Sequence, residues 1–303
     1  MKRILITGAK GFVGSNTARY FKNLGFQTYG IGHGYIKSNE LSNYGLDYWC
    51  DSGISVNAIK QFTTIFDVIV HCAGSGSVGA SISNPYLDYK KTVDGTLEVL
   101  EFIRLYNTSA HLIYPSSPAV QGEQADSPIK EDYIGKPCSP YGYHKKFSED
   151  LCESYSKQYN LKISILRLFS VYGIGLKKQL LWDAVCKIKN ADKSVEFWGT
   201  GDETRDFIHI DDVVRLFEAL LETKEMFSIF NGGTGVKYSI SAVVFFIRDL
   251  LLSEIKIDFN NEKNEGNPIY YWANAEKIKS VVSIDFKKFN SGLEEYIGWA
   301  NEQ

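Results

Sequence analysis

The chain lacks any block of basic residues. Its 33 Lys and Arg are offset by 36 Asp and Glu, for a formal net charge of -3, which argues against a nucleic-acid or anionic-membrane surface as the main function. It also lacks a long apolar run, with none approaching the roughly 18 residues needed to span a bilayer. Met1-Lys2-Arg3-Ile4-Leu5-Ile6 leads straight into a strand pattern with no room for a signal peptide, so a cytoplasmic protein is expected. Cysteine is sparse and odd in number. Cys50, Cys72, Cys138, Cys152 and Cys186 form no CxxC and no Cys/His metal spacing, which reads as reduced core thiols. There is no repeat with a period of roughly 20–50 residues and no low-complexity linker.

What is present is an alternation. With 303 residues, 44% of them hydrophobic, the chain suffices for one large α/β domain or a large and a small one. Arg3–Thr7, Gln27–Gly32, Val68–Cys72, His111–Tyr114 and Ile163–Phe169 read as strands. Gly14–Leu24, Pro85–Tyr106 and Pro140–Tyr159 read as helices. Unbroken apolar strands separated by helices indicate a parallel sheet covered on both faces. The expected architecture is a doubly wound Rossmann sheet with a smaller mixed α/β domain. Residues 1–170 with 205–233 form the first, and 171–204 with 234–303 the second.

Gly8-Ala9-Lys10-Gly11-Phe12-Val13-Gly14 lies between the first strand and the first helix. Small residues there permit a tight turn and a close approach of backbone to pyrophosphate, and a helix N-terminus favours that negative charge. Gly8, Gly11, Phe12, Val13 and Gly14 are therefore expected to hold a dinucleotide. An acid usually follows about 20 residues on, for the ribose hydroxyls. Gly32 stands there instead, with His33 and Lys37 just beyond. This leans toward NADP(H) and leaves NAD(H) open. Asp51 and Ser52, after Tyr48-Trp49-Cys50, are candidates for the adenine end, with a strand cap as the alternative for Asp51.

Tyr141 and Lys145 are four apart on one helix face. A nearby ammonium favours the phenolate and brings a tyrosine, ordinarily near about 10, toward the range of acid–base work. The spacing alone proves little, because Tyr86 and Lys90 share it. Tyr114-Pro-Ser-Ser-Pro-Ala-Val-Gln-Gly122 supplies the arbiter. Hydroxyls at the C-terminal end of a parallel strand point into the ligand crevice, and Ser117 can bond the alcohol or ketone on which Tyr141 acts. His209, Asp211 and Asp212 lack a fourth ligand; the two acids are expected to cap a helix starting at Val213, and no metal is expected.

Together these motifs resemble the extended short-chain dehydrogenase/reductases of the NAD-dependent epimerase/dehydratase family, which act on nucleotide sugars. The resemblance extends over nearly the whole chain. It includes Val70-His-Cys-Ala-Gly74, Asn84-Pro85, Arg167-Leu-Phe-Ser-Val-Tyr-Gly173 and Gly199-Thr-Gly-Asp-Glu-Thr-Arg-Asp-Phe-Ile-His-Ile-Asp-Asp212. It implies that Ser117, Tyr141 and Lys145 are catalytic and that Ala73 and Gly74 border the cofactor, with Lys145 on the nicotinamide ribose. It implies that Arg205 reaches the diphosphate of a nucleoside-diphosphate sugar, since a planar donor fork suits phosphate. It places Gln179 and Leu180 where the family's substrate loop runs, and it implies a homodimer through helices near 85–106 and 140–159.

Departures from the family narrow the chemistry. Its 4,6-dehydratases place Asp-Glu after the catalytic hydroxyl residue, where this chain has Pro118-Ala119. Its 3,5-epimerase/reductases use a Cys and a His where this chain has Ala119 and Gly175. Gln121 replaces an aromatic and Thr92 an Asn. Two chemistries need only the groups present: reduction of a 4-keto sugar, and C4 epimerisation through a transient ketone. Gly32 without an acid and the modest length tilt the reading to the NADP(H)-dependent reductase. A 4-epimerase with bound NAD is the alternative, and a non-catalytic NADP-binding sensor a remote one.

Overall fold

A computed structural model describes residues 1–262, 266 and 268–303. Seven strands make one sheet in the order Phe227–Gly232, Ile163–Leu168, His111–Ser116, Val68–His71, Arg3–Thr7, Gln27–Gly32 and Tyr48–Asp51. The pairings are parallel, from Arg3 opposite Gln27 to Ser116 opposite Arg167. The last strand joins in the same sense, with Ile163 donating to the Met226 carbonyl and Phe169 to that of Gly232. The fold is the expected Rossmann-like α/β sheet. Its strand order reverses between Arg3–Thr7 and Val68–His71, and ligands bind outside the strand ends at such a switch point.

The apolar strand runs account for the core. Leu5, Ile31, Ile69, Leu112, Ile163 and Ile165 are fully buried and pack with Phe66, Val99 and Ile103. The strand Tyr48–Asp51, only half-buried, carries no apolar run that would announce it. It is held by Tyr29 stacked on Tyr48, ring centroids 4.5 Å apart.

The chain divides into two compact units. One holds residues 1–121, 139–167 and 214–230; the other holds 122–138, 168–213 and 231–303. The division differs from the expected one at residues 122–138, 168–170, 205–213 and 231–233. Hydrogen bonding explains the difference. Phe207–His209 pairs with Ser170–Tyr172, while Thr204–Arg205 pairs with Tyr238–Ser239 and Tyr270–Tyr271. Ile129 bridges to Ala273. These short pairings have too few residues to show a period in sequence. The helix expected from Val213 begins at Ile210. Asp211 and Asp212 lie in its first turn, where their charge suits the helix dipole, and are not its caps. Among the described residues no helix is long and apolar enough to cross a membrane.

Candidate active site

The glycine loop forms a cradle in the first unit. Gly8 has φ of +65°, and a Cβ there would lie 2.9 Å from the Ala73 backbone. A Cβ on Gly14 would run into the Gly8 carbonyl oxygen and come within 2.9 Å of Ala9 Cα. Two strand ends and a helix start thus converge where only glycine fits. Phe12 and Val13, both half-buried, open the helix Phe12–Asn23. Its N-cap is Gly11, so no side chain bonds the first-turn amides and no acid opposes an anion there. This set fits a dinucleotide pyrophosphate.

Ala73 and Gly74 border the cradle. Ala73 donates its amide to Thr7 Oγ1 at 3.0 Å. Thr92 Oγ1 accepts from the Ser75 amide at 3.2 Å, so the threonine in the place of the family's asparagine supports this loop.

At the tip of the second strand, Gly32 accepts the Ser52 amide at 2.9 Å and a Cβ on it would meet Trp49 Cη2 at 3.2 Å. The Asp51 carboxylate accepts from the Gly34 amide at 2.8 Å, so it secures the turn after the strand. His33 is exposed, while Lys37 pairs with Glu40 at 3.8 Å. A residue that sequence reasoning did not single out also reaches this place: a Cβ on Gly34 would lie 2.6 Å from Lys10 Nζ. Its only signal in the sequence is a charge between two glycines of the loop.

The residues expected to do acid–base work lie in the same unit. Ser117 directly follows the strand His111–Ser116, is 9% exposed and accepts from the Ala119 amide at 3.2 Å. It caps the turn Pro118–Val120, against which the helix Pro140–Tyr159 packs. Ser139 caps that helix and Pro140 opens it, which explains why it starts there. Tyr141, half-buried in the first turn, donates its amide to Ser81 Oγ at 3.0 Å. Lys145 Nζ donates to the Pro115 carbonyl at 3.0 Å and to the Tyr114 hydroxyl at 3.2 Å. The ammonium expected to face Tyr141 is thus anchored to the strand end. His71 and Thr7 lie beside Tyr114 at this anchorage, and no motif marks the three, since buried residues of a strand look like core.

Arg205 and Gln179 belong to the second unit. Arg205 Nη1 donates to the carbonyls of Thr204 at 2.7 Å and Ile269 at 3.2 Å, and the guanidinium lies over Tyr271. Burial pushes its pKa down. The neighbouring Asp206 is saturated by the amides of Thr234, Gly235 and Ala273 and the Thr234 hydroxyl. Arg205 is therefore not its ion-pair partner. Gln179 is exposed at the start of helix Gln179–Asn190, with φ of +67°.

Comparisons with known proteins bear on the family and the fold. A UDP-glucuronate 4-epimerase of Thermodesulfobacterium geofontis is 25% identical over 98% of this chain and 96% of its own. Protein CapI of Staphylococcus aureus is 26% identical over 98% of each. The crystal structure of UDP-glucuronic acid 4-epimerase from Bacillus cereus, in complex with UDP-glucuronic acid and NAD, superposes with a TM-score of 0.87. It is 26% identical and 99% of both chains are covered. The profile of the NAD dependent epimerase/dehydratase family matches residues 4–233, and the chain belongs to that family.

Proposed function

We propose that the protein is a nucleotide-sugar 4-epimerase, acting on a UDP-linked sugar through a transient C4 ketone with NAD as its dinucleotide. The observation that carries this reading is the set Ser117, Tyr141 and Lys145 in one compact unit with the glycine cradle. A bound nicotinamide supplies a place for the C4 hydride to go and return from. Tyr141 takes the proton of the C4 hydroxyl and gives it back, and Ser117 orients that oxygen. Arg205 binds the diphosphate. Pro118 and Ala119 offer no titratable group for water elimination. The names of the relatives move the choice from the reductase, which the sequence favoured, to the epimerase.

The test is the protein purified without added cofactor. Released ligand should be NAD(H) by mass spectrometry. UDP-glucose or UDP-glucuronate should convert to its C4 epimer with no net change in nicotinamide absorbance.

One observation keeps the NADP(H)-dependent 4-keto-sugar reductase as the second reading. The second strand ends without an acid, and Lys10 and His33 stand near that tip. In that case the protein emerges empty and consumes NADPH stoichiometrically with a UDP-4-keto sugar. Five free cysteines suit a reducing compartment, and we place the protein in the cytoplasm. We also assign a homodimer through the helices near 85–106 and 140–159, where Tyr86, Leu97, Tyr143 and Phe147 are exposed.

A further inference from the structure

Lys145 is a buried ammonium, only 6% exposed, and no carboxylate among the described residues pairs with it. The acid one turn along its helix, Glu149, is committed to Arg167 through both oxygens, at 3.0 and 2.7 Å. Desolvating an ammonium is costly unless hydrogen bonds replace its water. Two neutral acceptors do so, the Pro115 carbonyl and the Tyr114 hydroxyl, and they decide where the charge sits.

Tyr114 is itself held from several sides. It is 1% exposed, and burial pushes its phenol pKa far up, so the hydroxyl keeps its proton. That hydroxyl interacts with Ser148 and Thr96, which bond each other at 3.3 Å. Its ring stacks on His71 with centroids 5.8 Å apart. His71 is fully buried, and its Nδ1 lies 2.7 Å from Thr7 Oγ1. Burial and the charge of Lys145 push the imidazole pKa down to about 3, so no second cation competes for the same acceptors. Tyr114 is therefore held in place as the neutral phenol.

We propose that Tyr114 is a positioning residue for this enzyme: its buried hydroxyl, with the Pro115 carbonyl, sets the Lys145 ammonium one helical turn from Tyr141, and through Lys145 it sets the rate of proton transfer. The inference rests on the reading of Tyr141 and Lys145 as the acid–base machinery.

Tyr114→Phe keeps the ring and the stack on His71 and removes one acceptor of a buried cation. Turnover should fall by about ten- to a hundredfold, with KM for the nucleotide sugar within about twofold of the wild type. Turnover within about twofold of wild type overturns the proposal. A double-mutant cycle separates positioning from simple structural damage. In a Lys145→Met background, Tyr114→Phe should cost nothing further, because its effect passes through Lys145; an equal loss in both backgrounds overturns the proposal. Should Tyr114→Phe fail to fold, Ser148→Ala removes a support of the Tyr114 hydroxyl and leaves Tyr114 in place. It should lower turnover in the same direction by a smaller factor, and unchanged turnover overturns the proposal. The Lys145→Met variant also distinguishes the two readings. Full activity in it removes the proposed active site, whereas an inactive Lys145→Met beside a fully active Tyr114→Phe removes only the role of Tyr114.

Discussion

Tyr141 is the proposed acid–base residue, and its replacement is the sharpest test at the scale of one residue. Tyr141→Phe should reduce turnover by about two to four decades, the usual contribution of a placed acid–base group, while dinucleotide affinity changes by only a few-fold. Turnover near that of the wild type, measured beside a cofactor titration, would remove it from the mechanism. Arg205→Ala should weaken binding of UDP by about ten- to a hundredfold in calorimetry and leave dinucleotide binding nearly intact. The structure strengthens this expectation, because Asp206 is satisfied elsewhere and the guanidinium keeps donors beyond its two carbonyl contacts. Gly32→Asp tests the cofactor end. The new carboxylate should favour NAD over NADP, read as dissociation constants for both, although Trp49 must yield slightly to admit it. An unchanged ratio would mean that the second strand tip does not contact the adenosine ribose.

At the scale of an element, the segment Pro85–Tyr106 reads in sequence as one helix. In the structure it is α-helical over Pro85–Tyr89, a π turn over Lys90–Asp94, and α-helical again over Gly95–Tyr106. Such turns recur at functional sites. This one contains Thr92, whose hydroxyl accepts from Ser75 beside the cofactor loop. The sequence pattern is helical on both sides of it, so a π turn of five residues has no separate signal. Further along, Glu101 accepts from Arg104 at 2.7 Å and from the Tyr155 hydroxyl at 2.6 Å, joining this helix to Pro140–Tyr159. Those bonds lower its carboxyl pKa from 4.5 to about 2. A depressed carboxyl stabilises the fold fully above its unfolded value. Glu101 should therefore help above about pH 5, with the benefit fading as pH falls toward 2. Glu101→Gln should flatten the acid limb of a plot of Tm against pH. An identical acid limb in the variant would show that the carboxylate contributes nothing there, as exposed pairs sometimes do.

At the scale of the whole molecule, the exposed side chains of Tyr143 and Phe147 mark the helix face assigned to a dimer, with ring centroids 6.4 Å apart. Phe147→Glu should shift the protein toward monomer in light scattering, because a charge would be buried without a partner. A wild-type protein that is monomeric at all accessible concentrations ends this assignment.

By itself the sequence determined the elements that repeat a pattern. Unbroken apolar strands, the glycine loop and the long helix from Pro140 each carry their own signal, because burial and steric limits act on neighbouring residues. The steric need for glycine at Gly8 and Gly14 was legible for the same reason, whereas Ser117 and Tyr141 were proposed from their motifs. Tertiary structure decided what depends on residues distant in the chain. It alone anchored Lys145 on Tyr114 and Pro115, directed Asp51 to the Gly34 amide and brought Lys10 to the strand tip. It alone moved residues 122–138 into the second unit. A buried polar group must find a partner wherever the fold offers one. That partner is chosen by three-dimensional proximity, which no local spacing records.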